Sequence, residues 1–283
     1  LHRVAAMASG GMDTLPHNGA VITLLAVTGL THRQSYKDIF ANGNTGAVFQ
    51  FESSGMRRLL KDARPDRFED LIALVSLYRP GPMDLIPSFN ARKHGQEEII
   101  SPAPRTEAIL KDTYGIMVYQ EQVMQMAQIV GGYSLGGADL LRRAMGKKKK
   151  SVLDAEFANF EPGMKANGYS DAAIAALWET MVPFSAYGFN KSHAAAYAVV
   201  SYQTAWLKAN HPVEFMAAVM NCDIHLTDKL GPYKQEVDRL GIEMVPPCVN
   251  RSEATFAVRD GRIVYALGAL KNVGVEAMRM ITA

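Results

Sequence analysis

Six cationic side chains fall within nine consecutive positions: Arg142, Arg143, Lys147, Lys148, Lys149 and Lys150, with no carboxylate among them. Like charges at that density repel unless a polyanion shares their space. Arginine forks suit phosphate oxygens, and lysines act as mobile point charges around a backbone. Leu140, Leu141 and Met145 should anchor the two arginines on a helix, and Gly146 should let the chain turn and spread Lys147–Lys150 along a phosphate strand. Taken alone, the segment fits a solvated surface run and a phosphate grip equally.

A second constellation lies at Tyr187-Gly-Phe-Asn-Lys-Ser-His-Ala194. Here a glycine turn delivers Lys191, Ser192 and His193 to the start of a helix. Along that helix Ala195, Val199, Tyr202 and Trp206 share an apolar face, and His193, Tyr197, Ser201, Thr204 and Lys208 line the other. Free amides and the positive dipole end would make the helix start an anion site. Asn190 or Ser192 acting only as a cap accounts for the same residues. Tyr197, one turn on, is placed to lie against a sugar or base. Ser192 has no orienting acid for nucleophilic chemistry, and His193 lacks companions for zinc.

The elements that must position these groups are mostly helical. Residues 66–78 predict a helix, with Asp66 and Glu69 at capping-box spacing, an apolar stripe of Phe68, Leu71, Ile72 and Val75, and a stop at Pro80 and Pro82. Val123, Met126, Ala127 and Val130 predict another over 121–130, ended by Gly131 and Gly132. A short helix follows over 135–145. Ser170 should cap a helix that buries Ile174, Leu177, Trp178 and Met181 and closes at Pro183. Helix is expected again from the Tyr187–Asn190 turn to about Ala209, over 213–220 and over 229–240. After Pro246 and Pro247, residues 256–258 and 263–265 predict two strands joined by Asp260-Gly261. A final helix follows Gly274. Residues 1–40 are weakly patterned and broken by Gly10, Gly11, Pro16 and Gly19.

The 283 residues are 48% hydrophobic and 20% charged, in the range of a globular protein with an ample core. A net charge of +2 says little; its bunching is the informative part. Cys222 and Cys248 form no metal pattern and suit a reducing compartment. No signal peptide is expected. The apolar stretches at 20–27 and 194–200 are too short to span a bilayer, so an intracellular, cytoplasmic protein without membrane partners is expected. A start other than Met suggests a piece of something longer.

Several blocks, in order, resemble the alpha (polymerase) subunit of bacterial DNA polymerase III, of the C family of DNA polymerases. They are Gly46-Ala-Val-Phe-Gln-Phe-Glu-Ser53, Leu77-Tyr-Arg-Pro-Gly-Pro-Met83, Tyr114-Gly-Ile-Met-Val-Tyr-Gln-Glu-Gln122, Gly136-Gly-Ala-Asp-Leu-Leu-Arg-Arg-Ala-Met-Gly-Lys-Lys148 and Gly188-Phe-Asn-Lys-Ser-His-Ala194. The resemblance runs from about Tyr36 to the end, and the forms around Phe51 and Met83 look like the replicative branch. It implies a mainly α fold: a helical fingers domain over 46–249, a palm-to-fingers connection over 1–45, and a small mixed α/β tail over 250–283 entering a helix-hairpin-helix module that grips duplex DNA. It implies that Arg142, Arg143, Lys147, Lys191, Ser192, His193, Tyr197 and Arg79 face the deoxynucleoside triphosphate. Lys148, Lys149, Lys150 and Lys271 would face DNA. The implied reaction is 5′–3′ synthesis on template-primer DNA by a DNA-directed DNA polymerase, with two Mg2+ ions on palm aspartates. The implied partners of the full subunit are the sliding clamp, the clamp-loader tau subunit and the proofreading exonuclease subunit.

The chain departs from that pattern at its front. It contains no Asp-x-Asp pair, and Asp13, in Met12-Asp-Thr-Leu15, matches the later metal motif poorly. Asp66, Asp70, Asp84 and Asp139 have ordinary readings as caps or surface acids. No catalytic or metal-binding residue is therefore assigned in this chain, and an isolated, non-catalytic module that binds nucleic acid or nucleotide stands as the alternative.

Overall fold

Prolines and glycines punctuate the chain where helices stop, and between them a computed structural model describes residues 39–146, 150–184 and 188–282. Asp13, Lys147, Lys148, Lys149 and Tyr187 lie outside the described residues. In chain order the helices are α1 (Ser54–Ala63), α2 (Phe68–Leu77), α3 (Ile86–Lys93), α4 (Glu107–Leu110), α5 (Gln120–Ile129), α6 (Leu135–Gly146), α7 (Lys150–Ala166), α8 (Asp171–Phe184), α9 (Lys191–Asn210), α10 (Pro212–Cys222) and α11 (Thr227–Arg239). Strands β1 (Met244–Val245), β2 (Ala257–Arg259) and β3 (Arg262–Val264) follow, and α12 (Val275–Thr282) comes last. The fold is mainly helical with a small mixed region, as the sequence implies. No described helix is long and apolar enough to cross a membrane. The described residues divide into two units, one of 62–199, the other of 39–61 with 200–282.

In the first unit the stripes predicted for α5 and α8 are the buried ones. Val123, Met126, Ala127 and Val130 meet Ile174, Leu177 and Met181 in one core that also takes Leu141, Met145 and Phe160. Trp178 packs at the edge of this core, its ring 5.3 Å from that of Phe160. One expectation for α6 changes: Leu140 points to solvent, so of its three apolar residues only Leu141 and Met145 anchor the arginines. Lys150 opens the seventeen-residue α7, and the expected spread of Lys147–Lys149 lies outside the described residues.

The Asp66–Glu69 capping box does not form. Arg67 occupies the N-cap of α2 in extended conformation without a side-chain cap bond. Asp70 takes over because it is fully buried and must find donors. Its carboxylate accepts from the Asp66 amide (3.2 Å), Lys93 Nζ (2.7 Å) and the Tyr114 hydroxyl (2.8 Å). Burial and the neighbouring Asp70 charge push the Tyr114 phenol up to about 12.

The second unit packs α10 and α11 against a three-stranded sheet of order β1-β3-β2 around Met216, Met220, Val237, Phe256 and Ile263. The predicted hairpin is present, with Ala257 opposite Val264 and Arg259 opposite Arg262. Asp260 and Gly261 both take positive φ (52° and 72°), the conformation that a two-residue hairpin of native twist requires. β1, only two residues long, adds in parallel through Met244 opposite Ile263 and gives no periodic signal of its own.

The predicted two-faced pattern of α9 fails at Ser201, which is buried, and at Lys208, which is 1% exposed. The Lys208 ammonium donates to the carbonyls of Asn44 (2.8 Å) and Gly46 (2.6 Å) and to the Glu236 carboxylate. Three acceptors replace water around a charge that would otherwise not tolerate burial. Burial pulls the Lys208 ammonium down from its ordinary value. For Glu236 burial acts against the charge, but hydrogen bonds from Arg239 and Lys208 outweigh it and hold the carboxyl below 4.5.

A folded value below the unfolded one means that the Glu236 carboxylate stabilises fully above pH 4.5, and that this contribution disappears as pH falls through the folded value. Urea denaturation should therefore show stability dropping below that pH. Glu236→Gln should lose about 3–5 kcal/mol at pH 7, because Lys208 keeps its burial without its counter-ion, and should show a shallower acid limb than the parent chain.

Candidate functional site

One buried amide side chain organises the site. Gln122, on the first turn of α5, accepts from the backbone N–H groups of Val118 (2.8 Å) and Tyr119 (2.9 Å) through Oε1. Its Nε2 donates to Thr113 Oγ1 (2.9 Å) and to the Ile109 carbonyl (3.3 Å). This fixes the extended stretch just before α5 and leaves its other edge open for pairing. The Gly188–Phe189 stretch takes that edge. The Phe189 amide donates to the Val118 carbonyl (3.1 Å), and the Gln120 amide donates to the Phe189 carbonyl (2.8 Å), a single parallel bridge. Residue 188 must be small there, since a Cβ would stand 2.6 Å from Phe184 Cε1 and 3.3 Å from Gln120 Cγ.

The Gln120 side chain then ties the two cationic motifs together. Its Nε2 donates to the Gly188 carbonyl (3.1 Å), and its Oε1 accepts from Arg142 Nη1 (3.0 Å). Arg142 is held further by Asp139, whose Oδ1 accepts from Nε (3.0 Å) and Nη2 (2.7 Å). Arg143 Nη2 reaches the other oxygen of the same carboxylate (2.8 Å). Arg142 and then Arg143 hold the Asp139 carboxyl below the usual carboxylate range. Two guanidinium groups thus share one anion and keep a net positive charge. The Arg143 side chain is 65% exposed against 30% for Arg142, so Arg143 offers more free donors to a ligand.

The start of α9 differs from the expected open anion site. The Lys191 amide donates to both oxygens of Glu121 (3.0 and 2.9 Å), and the His193 amide donates to Asn190 Oδ1 (2.7 Å). Carboxylate and amide side chain satisfy the first turn and complement its dipole, so the cap reading of Asn190 is the correct one. Glu121 is not among the expected site residues. It lies in a quoted block, but nothing local reveals that its partner is seventy positions away. The Lys191 ammonium is directed to Asp112 Oδ2 (3.5 Å) and lies 5.4 Å from the centre of the Tyr119 ring.

Arg79, just beyond α2, joins the same neighbourhood. Its Nε donates to the Ser76 carbonyl (2.9 Å) and its guanidinium lies 4.3 Å from the centre of the Phe189 ring. The His193 ring follows at 5.4 Å from Phe189, and the Tyr197 ring at 4.5 Å from His193. Arg79, Phe189, His193 and Tyr197 therefore form a row of cation–ring, edge-on and tilted ring contacts, with Ser192 and His193 exposed. Lys150 is the first residue of α7, and Lys271 is exposed ahead of α12 in the other unit. Among the described residues, no three histidine, cysteine or acidic side chains gather where they could hold a metal ion. The donor set of the described residues therefore does not fit a pair of magnesium ions.

Residues 16–168 match the family model of the bacterial DNA polymerase III alpha subunit finger domain, and residues 241–283 match a helix-hairpin-helix motif. The chain is 63% identical over 248 residues to DNA polymerase III subunit alpha of Xylella fastidiosa (strain Temecula1 / ATCC 700964), a match covering 87% of this chain and 21% of that protein. It is 56% identical over 247 residues to the subunit alpha of Neisseria meningitidis serogroup B (strain ATCC BAA-335 / MC58), with 87% and 21% covered. With that of Escherichia coli (strain K12) it is 47% identical over 265 residues, covering 91% and 23%. The chain spans about a fifth of the length of these curated relatives.

Replacing Gln122 by Leu keeps the volume but strips two buried backbone donors of their acceptor. Each should cost about 1–3 kcal/mol, read as a lowered urea midpoint. Hydrogen exchange at the amides of Val118 and Phe189 should accelerate beyond that of the α8 core.

Proposed function

Because the chain belongs to the family of bacterial DNA polymerase III alpha subunits, we propose that residues 46–249 serve as the fingers of a replicative DNA-directed DNA polymerase. In this reading they bind the incoming deoxynucleoside triphosphate and template-primer DNA during 5′–3′ synthesis. Residues 250–283 begin the helix-hairpin-helix module that grips duplex DNA. The observation that carries the reading is the Arg142–Gln120–Gly188 link, which joins the arginine helix to the turn that delivers Lys191, Ser192 and His193.

The nucleotide's negative charge would be met by side chains, since Glu121 and Asn190 already occupy two amides at the α9 start. Arg143, Lys191 and Lys147 would take triphosphate oxygens. Arg142, fixed by Asp139 and Gln120, would present a preoriented fork at little cost in reorganisation. His193 and Ser192 would donate hydrogen bonds, Tyr197 would lie against sugar or base, and Arg79 would support the His193 ring through Phe189. Lys148, Lys149, Lys150 and Lys271 would follow the DNA backbone, adding salt-dependent affinity without reading sequence. These residues balance charge and orient the leaving pyrophosphate; no step of the displacement is assigned to them. The transferase activity, the cytoplasmic location and the partnership with the sliding clamp, the clamp-loader tau subunit and the proofreading exonuclease subunit are proposed for the whole subunit.

The test is made in the complete polymerase. Arg143→Ala and Lys191→Ala should each lower kcat/KM for single-nucleotide incorporation by roughly 10²–10³-fold, the effect of losing one preorganised contact of about 2.7–4 kcal/mol. Duplex affinity at fixed salt should change far less. Incorporation near the parent rate in both variants defeats the assignment.

A further inference from the structure

Three cations of α1, Arg57, Arg58 and Lys61, take no part in the site above and make no ion pair among the described residues. They line an open cleft of about 350 Å³ in the second unit, together with Arg239, Glu236 and the backbone of Gly46. That volume lies in the range of about 300–1,000 Å³ usual for ligand sites.

The charge in this cleft is one-sided. Four cationic side chains face one carboxylate, and that carboxylate is already satisfied. Glu236 Oε1 accepts from Lys208 and from Arg239 Nη2 (2.5 Å), and Oε2 accepts from Arg239 Nε (2.9 Å). Arg239 is braced in turn by Nη1 donating to Asn44 Oδ1 (3.0 Å). Glu236 therefore positions Arg239 and leaves nothing to neutralise the α1 cations. The floor is kept low at Gly46, where a Cβ would stand 2.8 Å from Glu236 Cδ. No aromatic or aliphatic side chain lines the cleft, so it offers neither a stacking platform for a base nor a bed for an acyl chain. It offers guanidinium, ammonium and hydroxyl donors, the set that fits phosphate oxygens.

We propose that this cleft is a phosphate-binding site, taking the phosphodiester backbone of a DNA strand or the phosphates of a free nucleotide. It does not rest on the roles given to Arg143 and Lys191, and variants of those two residues should leave it intact.

The experiment uses the full-length subunit carrying Arg57→Gln, Arg58→Gln and Lys61→Gln. Two probes are titrated: a fluorescein-labelled twenty-residue oligothymidylate followed by anisotropy across a sodium chloride series, and inorganic triphosphate followed by calorimetry. If a strand occupies the cleft, losing three phosphate contacts should flatten the logarithmic salt slope by about 2. If a free nucleotide occupies it, triphosphate affinity should fall at least tenfold while the oligothymidylate slope stays. Either result supports the site and names the source. Arg57→Lys/Arg58→Lys, which keeps the charge, should retain the parent slope. Should the triple variant fail to fold, Arg58→Gln/Lys61→Gln, at two exposed positions, carries the same test with a slope change of about 1.4. Both probes binding as to the parent overturns the proposal. So does an equal loss when Lys234, Arg251 and Arg259, cations of the same unit outside the cleft, are changed to Gln.

Discussion

A side-chain amide buried beside a bare backbone edge sets the geometry of the first unit. Gln122 holds the amides of Val118 and Tyr119 with one oxygen and anchors itself with its nitrogen, so every polar group it brings inside has a partner. Without it those amides would be buried and empty. With it, the three-residue stretch is rigid enough to act as a template for Phe189, which comes from far along the chain. The pairing costs little order because one side is already fixed. It places Gln120 between Gly188 and Arg142, so one residue registers the turn against the arginine helix.

Around that junction the cations are held by carboxylates before any ligand arrives. Asp139 braces Arg142 and Arg143, Asp112 faces Lys191, and Glu121 closes the start of α9. Each anion lowers the cost of gathering like charges and narrows the rotamers they sample, and Asp139 serves two arginines at once. The residual charge at that pair is therefore both positive and oriented. The second unit uses the same logic differently. There a single carboxylate, Glu236, is committed to Lys208 and Arg239, and the cations of α1 remain without an acidic partner among the described residues. Where anions match cations the structure is locked, and where they fall short it is open to an acidic ligand.

Departures from local expectation share one cause. The predicted cap at Asp66 gave way to Asp70 because burial of Asp70 made its need for donors stronger than the preference of an exposed cap. The polar face assigned to α9 gave way at Lys208 because three oxygens, from Asn44, Gly46 and Glu236, surround its ammonium. The open helix start at Lys191 gave way because Glu121 was brought to it. In each case a partner distant in the chain outweighed a preference worth about 1 kcal/mol.

What the sequence determined alone was whatever repeats within a turn or two of chain. The apolar spacing of α5 and α8, the stops at Gly131, Gly132 and Pro212, the hairpin at Asp260-Gly261, and the crowding of charge at Arg142–Lys150 all follow from local sterics and periodicity, and the resemblance of five blocks carried the family. What the tertiary structure decided was partnership: that Gln120 joins two motifs, that Glu121 caps α9, that Lys208 is inside, that two residues at Met244–Val245 are a strand, and that Arg57, Arg58 and Lys61 share a cleft with Arg239. Those facts depend on groups tens to more than a hundred residues apart. A side chain's charge is written in its own position, but the medium and the counter-charge that give it meaning are supplied only when the chain has closed around it.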